Sequence, residues 1–188
     1  MVARVLREDL APVRIRVARY MWIPLLLLSI AVTVVAARLL FSFGAPYVPV
    51  NDQRKSDLLE LAGPVAGKKV VDLGSGDGRI VIAFAQAGAE AHGYEINPLL
   101  VFRARRNIKR AGLEGKAFIY WKDFWRVSLS SFDVVTIFGL GFMMKRLEKK
   151  LKKELRKDSI ALSVRAAFPT WIQTRSLRDV RQYDVASG

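Results

Sequence analysis

A chain of 188 residues is long enough for one compact domain with a short appendage and too short for two full-sized domains. It has 31 Lys and Arg against 17 Asp and Glu, a formal net charge of +14, which favours phosphate-rich partners such as anionic lipid or RNA. With no cysteine and a single histidine, it cannot build a zinc site, an iron–sulfur cluster, a disulfide framework or a cysteine nucleophile.

The start of the chain divides into a basic leader over 1–19 and an apolar segment over 20–43. The leader is rich in arginine, and residues 20–37 contain no charged side chain. At 1.5 Å per helical residue this uncharged run would be roughly 27 Å long, close to the thickness of the hydrocarbon core of a bilayer. We therefore predict a transmembrane or interfacial helix over 20–43.

A cleaved targeting peptide is the alternative for this region. Glu8 and Asp9 interrupt the basic leader, however, and no small-residue cleavage site is evident. An arginine-rich leader favours the cytoplasmic side for itself, so a spanning segment would send the remainder of the chain outward. A segment lying in the membrane interface would keep the remainder on the inner side.

Beyond residue 50, helical and extended patterns alternate. Asn51 or Asp52 is placed to cap a helix that runs to Ala62. We predict further helices over 80–86, 98–111 and 143–157, and strands over 69–73, 91–95, 117–122, 132–138 and 159–164. This alternation predicts an α/β domain over 44–188, with a mainly parallel sheet, helices on both faces and ligand bound beyond the carboxyl ends of the strands.

The segment VVDLGSGDGRI carries the strongest functional signal. A buried strand ends near Asp72, and Gly74, Gly76 and Gly78 precede a helix. Glycines allow a tight turn and a close approach of the backbone to a ligand, and the first N–H groups of the helix are free. The dinucleotide fingerprint needs a glycine at position 79, which is arginine here, so the spacing disfavours NAD and FAD and favours a ligand without a phosphate at this helix.

Two further acidic residues follow later strands. Glu95 ends a predicted strand in the segment GYEINP, where a carboxylate can accept hydrogen bonds from both hydroxyls of a ribose. Asp123 and Phe124 follow the next strand and are placed for an adenine amino group and ring face, although an Asp in this position also caps helices. We predict that His92 is a packed strand residue and that the chain has no metal site.

VVDLGSGDG, GYEIN, KDF and FDVVTIF, in this order, resemble motifs one to four of the Rossmann-like class I S-adenosylmethionine-dependent methyltransferases. The hydrophobic segment, the YVP tripeptide at 47–49 and the FPTW segment are similar to the small membrane-anchored protein-lysine methyltransferases and their bacterial relatives. Members of that group act on the mitochondrial ATP synthase c subunit and the adenine nucleotide carrier. The resemblance implies S-adenosylmethionine as cofactor and a protein lysine, in a membrane protein for example, as methyl acceptor.

The resemblance also implies the residues of the site. The glycine segment would hold the methionine end of the cofactor, Glu95 the ribose and Asp123 the adenine. The cofactor-binding positions are Asp72, Gly74, Ser75, Gly76, Asp77, Gly78, Glu95, Ile96, Asn97, Asp123 and Phe124. Tyr47, Phe138 and Gly139 are the substrate-side candidates. No catalytic base is assigned, because methyl transfer from a sulfonium to an amine depends mainly on positioning and desolvation.

The chain departs from the family pattern in two places. Val50 stands where the family usually has a threonine after YVP, so no hydroxyl role is carried over to this position. Only about twenty residues follow the FPTW segment, and we expect the edge formed by the usual antiparallel sixth and seventh strands to be incomplete.

The predicted helix over 143–157 is strongly basic. Leu147, Leu151 and Leu155 recur every four residues, which is typical of an amphipathic helix with a solvated basic face. The same face can hold a domain against anionic lipid headgroups. RNA is the competing partner, but no pattern of stacking aromatic residues accompanies the charge.

The leading hypothesis is a membrane-associated S-adenosylmethionine-dependent protein-lysine methyltransferase, with its domain on the cytoplasmic or organelle-interior side. One alternative is a methyltransferase acting on RNA or on a small molecule. The other is a non-catalytic, membrane-anchored, cofactor-binding module.

Overall fold

The computed structural model describes residues 22–42 and 49–185. Contacts within the chain define two units, Met1–Ala45 and Pro46–Gly188. The leader predicted over 1–19 lies outside the described residues, and so does Tyr47.

In the first unit the structure describes helix α1 (Trp22–Ser42), which lies within the bounds predicted for the apolar segment. Pro24 is compatible with its first turn, where backbone N–H groups have no partner within the helix. Within the described ranges, however, no helix is both long enough and apolar enough to cross a membrane. The prediction of a transmembrane helix is therefore not supported.

In the second unit, helices and strands alternate as predicted, with bounds shifted by a few residues. The helices are α2 (Asp52–Ala62), α3 (Arg79–Gln86), α4 (Pro98–Arg110) and α5 (Gly141–Glu154). The strands are β1 (Lys69–Leu73), β2 (Glu90–Glu95), β3 (Ala117–Trp121), β4 (Val134–Phe138), β5 (Ile160–Val164), β6 (Arg175–Leu177) and β7 (Val180–Asp184). Asn51 is the residue that caps α2, because its side chain accepts a hydrogen bond from the N–H of Arg54.

The strands form one sheet in the order β3-β2-β1-β4-β5-β7-β6. Strands β1 to β5 pair in parallel, and β7 lies antiparallel between β5 and β6. The expectation of an incomplete antiparallel edge was therefore wrong. A two-residue turn at Arg178 and Asp179 joins β6 to β7, so that both strands fit into the short tail.

Two hydrophobic cores lie on the two faces of the sheet, because successive residues of a strand point to opposite faces. Val70 packs into one core, with residues of α2, α3 and α4. Val71 packs into the other, with residues of α5 and with Trp171 and Tyr183. The predicted α/β architecture with helices on both faces is confirmed.

Helix α5 confirms the amphipathic prediction. Leu147, Leu151 and Leu155 are all buried. Part of its basic face is engaged within the domain: Lys150 Nζ donates to the carbonyl oxygen of Val127 at 2.7 Å and forms an ion pair with Glu154.

His92 is packed in strand β2, as predicted. Its ring stacks on Phe118 and Tyr120, and its Nε2 lies 3.0 Å from Glu90 Oε1. Burial lowers the pKa of His92, which favours the neutral ring.

Candidate active site

The glycine turn joins β1 to α3 at the carboxyl edge of the sheet. Gly74, Gly76 and Gly78 have φ angles of 78°, 55° and 82°, a region in which other residues are strained. The backbone N–H groups of Gly74 and Ser75 donate to the carbonyl oxygen of Tyr94 at 2.8 and 3.1 Å. The turn is thereby fixed against the end of β2.

Gly93, in the interior of β2, makes room for this turn. A Cβ atom at position 93 would lie 2.6 Å from both Cβ and Oγ of Ser75 and 2.7 Å from Cδ1 of Ile119. Sequence reasoning missed this residue. Its signal was an isolated glycine within a strand, which often marks the close approach of another backbone or a ligand.

Ser75 contributes a polar atom, its hydroxyl oxygen, to the glycine turn. Its side chain is buried, and its hydroxyl oxygen has no hydrogen-bond partner within 22–42 and 49–185. A buried hydroxyl without a partner is unusual in a folded protein and indicates a group that a ligand can satisfy.

Glu95 is held by three backbone N–H groups. Its Oε2 accepts from Gly76 at 2.9 Å, and its Oε1 accepts from Ile96 and Asn97 at 2.8 Å each. A carboxylate has about four acceptor positions. One position is therefore left for a ligand, and binding both hydroxyls of a ribose would require one of these backbone bonds to be released.

Asp72 is a buried acid, only 3% exposed, on the central strand β1. Its pKa is raised from 3.8 to about 7, mainly by burial and also by the nearby charges of Glu95 and Asp77, while a hydrogen bond from Thr136 opposes the shift. A bound cation near this carboxyl would favour its ionised form.

Thr136 is the partner of Asp72 on the neighbouring strand β4. The two residues face each other in register, and Thr136 Oγ1 donates to Asp72 Oδ1 at 2.7 Å. Sequence reasoning also missed this residue. Its signal was a single polar residue in the otherwise apolar run VVTIF.

Asp77 is engaged by Arg79 at the start of α3. The two side chains form a bidentate pair, with N–O distances of 2.9 and 2.8 Å, and Arg79 also donates to the carbonyl oxygen of Val50 at 2.7 Å. Asn107 of α4 donates to the backbone oxygen of Asp77. In the structure Asp77 therefore links the turn to the segment before α2, and its contact with a cofactor stays a prediction.

Asp123 caps a short 3-10 turn, Phe124–Arg126, by accepting a hydrogen bond from the N–H of Trp125 at 3.0 Å. The neighbouring residue Lys122 donates its backbone N–H to the carbonyl oxygen of Glu95 at 3.0 Å. The structure thus assigns Asp123 the capping role that the sequence left open and ties its segment to the end of β2. Adenine binding by Asp123 and Phe124 stays a prediction.

The predicted substrate-side residues follow β4. Phe138 is half-buried, and the guanidinium of Arg54 lies 5.9 Å from its ring centroid. Gly139 is buried, and a Cβ atom there would lie 2.8 Å from Met144 Sδ and 3.1 Å from Ala166 Cβ. The two residues therefore border a densely packed, largely apolar region at the same edge of the sheet as the glycine turn.

Comparison with known proteins decides the family. The model of the family described as ANTKMT methyltransferase domain matches residues 72–175, which begin at Asp72 and include the glycine turn and Glu95. This chain belongs to that methyltransferase family. The resemblance inferred from the sequence motifs is thus confirmed.

Two curated relatives of the family carry lysine methyltransferase names. The chain is 43% identical over 126 residues to the Homo sapiens lysine N-methyltransferase named for the ATP synthase c subunit, and the match covers 67% of this chain and 54% of that protein. It is 42% identical over 127 residues to the adenine nucleotide translocase lysine N-methyltransferase of Mus musculus, with coverage of 67% and 55%. The chain thus spans about half the length of these relatives.

A solved structure supports the Rossmann-like methyltransferase fold. The RNA methyltransferase from Salinibacter ruber, in complex with S-adenosyl-L-homocysteine, superimposes with a TM-score of 0.71 at 31% identity. The match covers 73% of this chain and 94% of the Salinibacter chain.

Proposed function

We propose that this chain transfers methyl groups from S-adenosylmethionine to a lysine of a protein. One observation carries the proposal: Asp72, the glycine turn and Glu95 meet at the carboxyl edge of the sheet, joined by the hydrogen bond from Gly76 to Glu95. The names of the human and mouse relatives favour lysine as the acceptor.

The residues fit such a cofactor. The buried, unpartnered hydroxyl of Ser75 and the remaining acceptor position of Glu95 offer hydrogen bonds to a polar ligand. Asp72 would attract the ammonium of the methionine moiety, Glu95 would hold the ribose, and Asp123 with Phe124 would lie at the adenine. When bound, S-adenosylmethionine supplies an electrophilic methyl group on a sulfonium.

The contribution of the chain to the reaction is to orient the lysine amine and to remove water from it. A lysine amine must be neutral to act as a nucleophile, and contact with apolar groups such as Phe138 lowers its pKa because burial disfavours the charged form. Gly139, next to Phe138, is closely packed and adds no side chain to this apolar surface. Holding the amine in line with the reacting bond can supply most of the rate without a catalytic base.

Methylation of RNA is the second candidate, and one observation favours it. The Salinibacter structure, which matches this chain over most of its own length, is described as an RNA methyltransferase. The formal net charge of +14 would suit such a substrate.

The test begins with calorimetric titration of the full chain with S-adenosylmethionine. We expect Glu95→Gln to weaken binding at least about tenfold. The NH2 group of the glutamine is a donor and cannot accept a hydrogen bond from the backbone N–H groups that now bind Glu95. Glu114→Gln, at an exposed position away from the carboxyl edge, is the matched control and should bind like the parent chain.

The acceptor is then identified with radiolabelled cofactor in a lysate from cells lacking the chain. We expect label that survives RNase, disappears with protease and yields methyl-lysine on hydrolysis. Label lost with RNase alone would support the RNA alternative and contradict the lysine proposal.

We also propose that the chain associates with a membrane surface, with its methyltransferase domain on the cytoplasmic or organelle-interior side. Helix α1 supports this, because large apolar side chains on several sides of it are exposed, namely Trp22, Leu25, Leu26, Leu27, Leu28, Ile30, Val32, Val34 and Val35. An exposed apolar surface of this kind usually contacts a partner, and the basic leader favours anionic headgroups.

We expect the full chain to float with vesicles of phosphatidylcholine and phosphatidylglycerol. The double variant Leu25→Ser/Leu28→Ser should bind at least about tenfold more weakly, because it removes apolar area from the interface. Glu60→Ser/Lys116→Ser, on the exposed surface of the domain, serves as control. Protease added outside intact cells should leave the domain uncut, and digestion there would refute the proposed side.

A further inference from the structure

Most of the large apolar residues exposed on the methyltransferase domain lie at one edge of it. Over residues 49–185 the exposed ones are Ile96, Leu99, Phe102, Tyr120, Trp121, Phe142 and Ile172. Tyr120 and Trp121 end strand β3, and the residues at 96, 99, 102 and 142 follow the carboxyl ends of β2 and β4. Ile172 lies away from this edge, because the adjacent Trp171 donates to the carbonyl oxygen of Asp184, which pairs with Ile160 at the start of β5. Most of the exposed apolar surface of the domain is therefore at the edge that carries the candidate active site.

These residues flank the glycine turn on both sides. In the strand order, β2 and β3 lie on one side of β1, and β4 and β5 lie on the other. The most exposed of the side chains are Phe142 (84%), Leu99 (77%), Phe102 (69%) and Trp121 (65%). The indole of Trp121 is held in place by a 2.9 Å hydrogen bond to the carbonyl oxygen of Ile96.

On helices α4 and α5, basic residues lie about one helical turn C-terminal to the exposed apolar residues. On α4, Leu99 and Phe102 are followed four residues later by Arg103 and Arg106, all exposed. On α5, Phe142 is followed three and four residues later by Lys145 and Arg146, and the Arg146 guanidinium lies 4.1 Å from the ring centroid of Trp125. One turn places each cation about 5 Å farther along the helix than its apolar residue.

The segments that follow β2, β3, β4 and β5 contain almost no acid, whereas the turns after β1 and β6 contain Asp77 and Asp179, each paired with an arginine. Over 96–106, 122–126, 139–147 and 165–174 the sequence has one acidic residue, Asp123. Its side chain caps the turn that begins at Phe124. The basic residues in these segments are Arg103, Arg105, Arg106, Lys122, Arg126, Lys145, Arg146 and Arg165.

We propose that this edge docks on the surface of an anionic phospholipid bilayer, an inference that rests on the proposed membrane association. Leu99, Phe102, Trp121 and Phe142 would enter the boundary between headgroups and acyl chains, and Arg103, Arg106 and Lys145 would meet the phosphates. Apolar tips with cations behind them are the arrangement of proteins that lie in the membrane interface.

Lipid fits this surface better than single-stranded RNA does. The surface contains aromatic residues, but the aliphatic Leu99 and Ile96 lie among them and offer no ring on which a base can stack. The apolar residues come from three separate chain segments on both sides of the glycine turn, as suits a broad, flat partner. The docked domain would take its methyl acceptor from the membrane surface.

The test uses the full chain, which lacks cysteine, so that single cysteines can be labelled with an environment-sensitive fluorophore. Leu99→Cys and Phe142→Cys report on the carboxyl edge. The exposed positions Glu114→Cys and Lys157→Cys precede β3 and β5 and report on the opposite edge. With vesicles of phosphatidylcholine and phosphatidylglycerol, labels at 99 and 142 should shift to shorter wavelength and be quenched by brominated lipid, whereas those at 114 and 157 should not.

Vesicle binding in which labels at 99 and 142 behave like those at 114 and 157 would overturn the proposed orientation and leave membrane association and methyl transfer intact. Absence of binding would overturn both membrane proposals, while cofactor titration would still report on methyl transfer independently. As a second variant, Arg103→Gln/Arg106→Gln should weaken binding to the anionic vesicles about tenfold, with unchanged cofactor affinity. If this variant binds the anionic vesicles as tightly as the parent chain does, the proposed contact of Arg103 and Arg106 with the headgroups is wrong.

Discussion

Asp72→Asn is expected to stabilise the domain at alkaline pH while it weakens cofactor binding. The pKa of Asp72 is about 7 in the folded domain, against an ordinary value of 3.8. The folded state therefore loses stability as the pH rises from 3.8 to about 7, and the loss is complete above that range. A shift of this size corresponds to about 4 kcal/mol.

Asparagine has no charge to bury and can still accept the hydrogen bond from Thr136. Chemical denaturation from about pH 4 to pH 8.5 should show the free-energy advantage of Asp72→Asn growing through that window. Thr136→Val is the companion variant. It removes a hydrogen bond that favours the ionised carboxyl, so the pKa of Asp72 should rise further and the loss of stability should extend to higher pH. Identical pH profiles for the parent chain and Asp72→Asn would contradict the assignment.

The functional cost should appear in the same variant. A charge-assisted contact to the cofactor ammonium contributes about 1.5–3 kcal/mol, so affinity for S-adenosylmethionine should fall about tenfold to a hundredfold. A gain in stability together with this loss is typical of a residue kept for function at the expense of folding.

Gly93→Ala is expected to disturb the glycine turn, although residue 93 lies outside that turn, in strand β2. The added Cβ would meet Ser75 at 2.6 Å, so the turn or strand β2 must shift. We expect the free energy of unfolding to fall by about 1–3 kcal/mol. Cofactor affinity should fall at least about tenfold, because the same shift moves the N–H of Gly76 away from Glu95.

Two further variants isolate the cause. Gly141→Ala is the control, because a Cβ at that position meets nothing within 4 Å, and its stability should change by no more than about 0.5 kcal/mol. Ser75→Gly removes both serine atoms that the new Cβ would strike, so the double variant Gly93→Ala/Ser75→Gly should recover much of the lost stability. If the double variant is no more stable than Gly93→Ala, the contact with Ser75 is not the cause.

The C-terminal edge shows why one prediction from the sequence was wrong. A hairpin is usually recognised by glycine or asparagine in its turn. Here Arg178 has a φ of 53° at the turn, and its guanidinium pairs with the buried carboxylate of Asp57 on α2. The two residues of this ion pair are far apart in the sequence. No local sequence pattern therefore predicted the turn at Arg178.

The sequence by itself determined the alternation of helices and strands, the glycine turn, and the placement of Glu95 at the end of its strand. These features follow from side-chain periodicity and backbone sterics, which act over a few residues. Only the tertiary structure decided the partnership of Asp72 with Thr136 and the contact of Gly93 with Ser75. It also decided the gathering of exposed apolar residues at one edge, because these depend on which strands become neighbours in the sheet and not on local pattern.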